Sequence, residues 1–67
     1  MNPLQAAVMY AGTIGARIQN FSPEGFTATF PTEEAVSLYM TMIEDVAVNV
    51  TFSSEVSVIV TPLSTNA

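Results

Sequence analysis

Carboxylates are the main candidates in this sequence for acid–base or metal chemistry. The 67 residues include six acids and one arginine, and they contain no histidine, no cysteine and no lysine. Ser-His and Cys-His nucleophilic sets therefore cannot form, and thiolate and imidazole metal sites are excluded. Schiff-base and P-loop chemistry both need a lysine, so they are excluded as well.

Four of the acids form two adjacent pairs, Glu33-Glu34 and Glu44-Asp45, at opposite ends of a predicted helix. At a rise of 1.5 Å per residue the pairs are roughly 15 Å apart, whereas the two carboxyls of a glycosidase lie within about 10 Å in a cleft. Because neither pair has a catalytic arrangement, we predict a protein with no enzymatic activity, no cofactor and no resident metal.

The second pair, Glu44-Asp45, is unusual because it lies at the C-terminal end of that helix. Acids there oppose the helix dipole, at a cost of roughly a few tenths of a kcal/mol each. A solvated helix end that tolerates this cost explains the pair. The functional alternative is that Glu44 and Asp45 contact a basic partner or a weakly held divalent cation.

The charge balance narrows the choice of partner. The formal net charge is −5, and only 10% of the residues are charged. Binding to bare nucleic acid needs several Lys or Arg at phosphates, and an anionic membrane surface attracts basic segments. The longest apolar run, residues 6–18, is short and contains glycines, and no basic segment precedes it. We expect neither a membrane span nor a signal peptide, and we expect a cytoplasmic protein or a part of an assembled particle.

The strongest structural pattern is an alternation of apolar and polar residues in two runs, 46–52 and 56–61. Successive side chains of a strand point to opposite faces, so each run predicts a strand with one valine-rich face. A three-residue loop, Ser53–Glu55, places Phe52 opposite Val56 and keeps both apolar faces on one side. The sequence therefore predicts a hairpin over residues 46–61.

A second hairpin is predicted over residues 14–30. The turn Ser22-Pro23-Glu24-Gly25 has proline and glycine where a type I turn with a glycine bulge needs them. This turn predicts that Ile18 pairs with Phe30 and that Phe21 points outward, away from the apolar face.

Two helices complete the pattern. Asn2 and Pro3 suit a helix start, and Gly12 suits an end, so residues 3–11 form a short helix or, alternatively, an extended segment from Val8 onward. A helix over residues 32–45, capped by Thr32, has a wide apolar arc and is the expected cover for both hairpins. Its methionines and tyrosine, together with Met9 and Tyr10, are expected in the core.

The predicted fold is therefore α+β. We expect one small domain, residues 1–63, in which the two antiparallel hairpins pack on the central helix 32–45, with the short helix 3–11 beside them. A flexible tail is expected over residues 64–67.

Function is predicted from what remains exposed. Phe21, Ile59 and Asn49 are expected to point outward, and the 46–52 strand contains no lysine or proline to protect an edge. A small core without disulfides often depends on a partner subunit. We therefore predict a protein–protein assembly subunit, of a structural or decoration type, that oligomerises or docks on a larger protein assembly. Phe21, Ile59, Asn49, Glu44 and Asp45 are its predicted contact residues.

The alternative function is a small acidic inhibitor. Such a protein blocks the basic, nucleic-acid-binding groove of a partner enzyme by presenting carboxylates in place of phosphates. That role requires the acids to lie on one surface.

Overall fold

Two helices and one four-stranded antiparallel sheet make up the fold in the computed structural model, which describes residues 2–63. The elements are α1 (Pro3–Thr13), β1 (Arg17–Ser22), β2 (Gly25–Thr29), α2 (Glu33–Met42), β3 (Val48–Phe52) and β4 (Ser57–Pro62). The strands lie in the order β1-β2-β4-β3, so β1 and β3 are the two edges. The predicted α+β fold is confirmed, and the predicted tail 64–67 lies outside the described residues.

Helix α1 begins as the sequence predicts. The side-chain oxygen of Asn2 accepts a hydrogen bond from the Leu4 backbone N–H at 2.8 Å, and Pro3 is the first helical residue. The helical interpretation of this segment is therefore confirmed and the extended one is wrong.

The end of α1 differs from the prediction because another glycine terminates it. Gly12 lies inside the last turn, and Gly15 has the left-handed φ of 91°. The N–H of Gly15 donates to the Gly12 carbonyl and the N–H of Ala16 donates to the Ala11 carbonyl, both at 3.0 Å. These two bonds satisfy carbonyls that the helix end leaves without partners.

Helix α2 is shorter than predicted. The hydroxyl oxygen of Thr32 accepts from the Ala35 N–H at 3.1 Å and caps the helix as expected. The last helical residue is Met42, and the Val46 N–H then donates to the Ile43 carbonyl at 2.9 Å. Residues 43–45 therefore form a turn that leads toward β3, and the predicted end at residue 45 is wrong.

The β1–β2 hairpin has a bulge that the sequence did not reveal. Ile18 pairs with Ala28, two residues from the predicted partner Phe30. Asn20 has a φ of 57°, and the register shifts so that Asn20 and Phe21 together lie opposite the single residue Phe26. A bulge of this kind adds one residue to one strand. The side chain of the next residue then points to the opposite face of the sheet.

The β3–β4 hairpin is also shifted by two residues. Val50 pairs with Val60 and Phe52 with Val58, because the N–H groups of Ser53 and Ser54 both donate to the Ser57 carbonyl and widen the loop. The predicted three-residue loop is wrong. The predicted faces are retained, since a shift by two keeps every side chain on its side of the sheet.

Pairing of β2 with β4 joins the hairpins into one sheet and creates the core. Phe26 pairs with Val60 and Ala28 with Val58, so their side chains form one apolar face. Both helices contribute apolar side chains to the cluster on this face. The buried residues are Leu4, Ala7, Ala11, Phe26, Ala28, Phe30, Ala35, Val36, Tyr39, Ile43, Val58 and Val60.

Tyr39 connects the two helices inside this core. The centroid of its ring lies 4.9 Å from that of the Phe30 ring, and its hydroxyl donates to the Ala7 carbonyl of α1 at 2.9 Å. The prediction that Tyr39 is a core residue is confirmed, whereas the same prediction for Met9 and Tyr10 is wrong because both are exposed. Leu38 is 53% exposed and Met9 is 57% exposed, so the apolar arc of each helix is narrower than its sequence suggests.

Ile43, the residue directly after α2, and Ser37 within α2 provide a matched test of which side of this segment faces the core. Ile43 is 4% exposed, and Ile43→Ala should lower the free energy of unfolding by roughly 2–5 kcal/mol because it leaves a cavity. Ser37 is exposed, so Ser37→Ala should change the free energy of unfolding by less than about 0.5 kcal/mol. Urea titration of both variants measures the difference, and equal losses would mean that the buried face is assigned incorrectly.

Tyr39 should make the protein sensitive to alkaline pH. Burial raises the pKa of Tyr39 from 10.0 to about 12. The folded state then keeps the phenolic proton at pH values where the unfolded state has lost it, so the free energy of unfolding falls as pH rises from 10 toward 12. Below pH 10 the contribution of the protonated Tyr39 side chain to the free energy of unfolding is fully present.

The variant Tyr39→Phe has no such proton. It should lose roughly 0.5–1.5 kcal/mol at neutral pH with the hydrogen bond to Ala7. Its stability should then decline less than that of the wild type between about pH 8 and about pH 11, as measured by urea titration. Identical alkaline declines would show that Tyr39 does not control this pH dependence.

Candidate interaction surfaces

The described residues hold no constellation of ligating side chains. In residues 2–63 no three Asp, Glu, His or Cys side chains lie together as metal ligands, and every buried side-chain nitrogen or oxygen has a hydrogen-bond partner. Neither α1 nor α2 is long and apolar enough to cross a membrane.

All six acids are exposed, and the topology divides them between the two ends of the sheet. The pairings Phe26–Val60 and Val48–Pro62 place the β1–β2 turn beside the start of β3. The acids at this end are Glu24, Glu44 and Asp45. The acids at the opposite end, near the start of α2 and the β3–β4 loop, are Glu33, Glu34 and Glu55. None of the four strands contains a carboxylate.

The face of the sheet opposite the helices is polar but almost uncharged. Thr27, Ile59 and Thr51 form one row across it, because Ile59 pairs with both threonines. Ile59 is 39% exposed, and the hydroxyls of Thr29 and Ser57 lie 2.9 Å apart in a hydrogen bond. Ile59 points outward as predicted. It lies at the centre of this surface, the open face.

Phe21 lies on the other side of the sheet, and the prediction that it shares an outward face with Ile59 is wrong. The bulge at Asn20 turns the Phe21 side chain toward the helices, where its ring stacks on Phe26 with centroids 6.0 Å apart. Phe21 remains 53% exposed and lines a groove of about 530 Å³ between α1 and β1. The other residues that line this groove are Gln5, Val8, Met9 and Ile18.

The two edges of the sheet differ in how they are protected. Edge strands of natural proteins are usually protected by charges, prolines or bulges. Strand β1 has both Arg17 and the bulge at Asn20. Strand β3, Val48–Phe52, contains no charge and no proline, and its register with β4 is uninterrupted. Of the two edges of the sheet in residues 2–63, the β3 edge is therefore the regular one without such protection.

The hydrogen-bonding groups that β3 presents can be assigned from its register. The Ser53 N–H bonds directly to the Ser57 carbonyl, so Thr51–Ile59 and Asn49–Thr61 are also directly bonded pairs in the alternating antiparallel pattern. The N–H and C=O groups of Val50 and Phe52 then point away from β4, off the edge.

The remaining outward group of β3 is the carbonyl of Val48. The N–H of Val48 donates to the Val46 carbonyl at 2.8 Å, so it is already engaged within the chain. Phe52 is 54% exposed at the end of this edge. The exposed backbone is therefore bordered by a large apolar side chain.

The structure separates the predicted contact residues into three places. Asn49 of β3 and Ile59 of the neighbouring strand β4 both point to the open face. Glu44 and Asp45 lie in the turn before β3. Phe21 lies on the opposite edge strand.

Phe52 and Met9 are exposed apolar side chains that the sequence did not identify as exposed. Both belong to regular apolar patterns, and no local signal distinguishes a strand or helix residue at the margin of the core from one at its centre. The only available hint for Phe52 was its position at the end of an apolar run, next to a polar loop.

Comparison of the chain with protein-family models, with curated proteins and with solved structures found no match.

The assignment of the β3 edge can be tested by hydrogen exchange. At the lowest measurable protein concentration the amide hydrogen of Thr51, bonded to β4, should exchange more slowly than that of Val50, which points off the edge. Residue-resolved exchange by NMR measures both rates. Faster exchange at Thr51 than at Val50 would contradict the assignment.

Proposed function

We propose that this chain is a non-enzymatic assembly subunit that binds other protein chains through the edge of β3. Strand β3 and the adjoining open face are the primary contact surface, and the Phe21 groove is a second surface on the other side of the sheet. Such a subunit oligomerises or docks on a larger protein assembly, as structural and decoration subunits of particles do.

The unprotected β3 edge is the observation that carries this proposal. An edge strand with free N–H and C=O groups, no charge and strong β propensity is a template for another strand. Natural proteins that leave such an edge unoccupied risk aggregation. An edge that has a partner needs no protecting lysine or bulge, which is the pattern of β3 in contrast to β1.

The charge distribution supports the same surface. Two proteins of net charge −5 repel each other, but the strands contain no carboxylate and the acids lie at the two ends of the sheet. The open face and the β3 edge are therefore where a neighbouring acidic chain can approach at the least electrostatic cost. An acidic inhibitor, in contrast, needs its carboxylates on one surface. The division of the acids between two ends favours assembly.

The row Thr27–Ile59–Thr51 allows one charge to be moved across the sheet in steps. Thr51→Lys places a lysine on the edge strand, Ile59→Lys places it one strand further in, and Thr27→Lys places it two strands in. Binding through the edge should be weakened most by Thr51→Lys, because an edge lysine obstructs strand addition. Thr27→Lys is the matched control with the same charge on the same face.

The measurement is light scattering coupled to size exclusion, over about a hundredfold range of concentration, for the wild type and the three variants. Binding through the whole open face would instead make Ile59→Lys the most damaging change, and binding through the groove would make Phe21→Asp the most damaging. A wild type that is monomeric at every concentration, and that retains no partner from its source, would refute the proposed function.

A further inference from the structure

Strand β3 is nearly symmetric about its central residue. Val50 has Asn49 and Thr51 on either side, and then Val48 and Phe52. Reversing the strand therefore places polar residues opposite polar residues and apolar residues opposite apolar ones. A strand with this pattern is complementary to an antiparallel copy of itself.

We infer that the partner of the β3 edge is β3 of a second copy of this chain, paired antiparallel with Val50 opposite Val50 on a two-fold axis. This inference rests on the proposed function and names its partner. The two sheets then form one continuous sheet across the dimer, and the contact is isologous, the commonest kind in homo-oligomers.

The free backbone groups fit this arrangement. The residues whose N–H and C=O point off the edge must pair with each other, which restricts the pairing to Val48, Val50 and Phe52. With Val50 at the centre, the N–H of each Val50 donates to the carbonyl of the other. The N–H of each Phe52 donates to the Val48 carbonyl of the second copy, the one group of Val48 that remains free.

The ends of the edge determine the register. On one side the Val46 carbonyl accepts from the Val48 N–H and the Val46 N–H donates to Ile43, so the chain turns away before Val48. On the other side the N–H groups of Ser53 and Ser54 both donate to Ser57, so the chain turns away after Phe52. The usable edge is therefore residues 48–52, and only a register centred on Val50 pairs all of it.

The side chains agree with the same register. Phe52, which is 54% exposed, comes to lie beside Val48 of the second copy on the helix side of the sheet. Aromatic and β-branched residues in directly opposed positions stabilise antiparallel pairs. On the open face Asn49 lies opposite Thr51, where the amide and the hydroxyl can form a hydrogen bond.

Charge gives the dimer a characteristic response to salt. The antiparallel arrangement brings Glu44 and Asp45, before one β3, toward Glu55, after the other. Like charges repel, so screening should strengthen the dimer. Raising the ionic strength from 0.1 to 1 M, which shortens the Debye length from about 10 to about 3 Å, should lower the dissociation constant. A partner held by basic residues would give the opposite response.

Cysteine crosslinking tests the register directly, since the natural chain has no cysteine. Asn49→Cys and Thr51→Cys are both on the exposed open face. A mixture of the two variants, oxidised at a concentration where the wild type associates, should give a disulfide-linked dimer on a non-reducing gel. Each variant alone should give at least ~10-fold less, because equivalent residues are diagonal neighbours about 7–8 Å apart and beyond bridging range.

The control is Thr27→Cys, which lies on the same face but two strands from the edge. It should give no crosslink above the level of random collision, alone or mixed with either variant. Circular dichroism should show the same fold for all three variants as for the wild type.

Each other result overturns the inference in a distinct way. A dimer from Asn49→Cys alone means that Asn49 lies opposite Asn49, and a dimer from Thr51→Cys alone means that Thr51 lies opposite Thr51. No crosslink in the mixture excludes this β3–β3 pairing. If Thr51→Lys still abolishes association in that case, the proposed function stands with another partner surface. If the wild type associates with nothing, both the function and the inference fail.

Discussion

The pairing of β2 with β4 is the interaction on which the rest of the structure depends. Each hairpin is local in sequence, and an isolated hairpin is at best marginally stable in water. The β2–β4 ladder joins them, and it places Phe26 and Ala28 beside Val60 and Val58. Only then does one apolar face exist that is wide enough for two helices to cover. The same pairing moves β1 and β3 to the outside, so it determines which strands have free edges.

The helices cover this face with small side chains at their closest approach. Ala7 and Ala11 of α1 are completely buried, and α1 contacts β1, β3 and β4 as well as α2. Small residues let the α1 backbone come close, and this brings the Ala7 carbonyl within reach of the Tyr39 hydroxyl. A buried tyrosine needs a partner for its hydroxyl, and this bond links α2 to α1 within the core.

The functional argument follows from an asymmetry between the two edges. At one edge a bulge turns the Phe21 side chain to the helix side of the sheet, where it lines the groove between α1 and β1. The strand at this edge is irregular and protected. At the other edge a regular strand without charge presents free backbone groups between two turns. Both edges belong to the same small sheet, so the difference between them arises from a few residues: Arg17 and Asn20 on one side, and the uncharged run 48–52 on the other.

The sequence by itself determined the four strands, helix α2, the faces of β2, β3 and β4, and the separation of the acids. These properties are local: alternation, capping residues and turn residues act within a few positions of the chain. Alternation alone could not distinguish registers that differ by two, because such registers bury the same faces. The bulge at Asn20 could not be predicted either, because an asparagine within an alternating pattern does not indicate whether its φ is left-handed. Only the tertiary structure decided which strands are edges, that Phe21 and Ile59 lie on opposite sides, and that Leu38 and Met9 remain exposed. The edges follow from the pairing of β2 with β4, and the direction of Phe21 follows from the bulge at Asn20. The exposure of Leu38 and Met9 depends on how far the other elements extend over the helices, which no local pattern encodes.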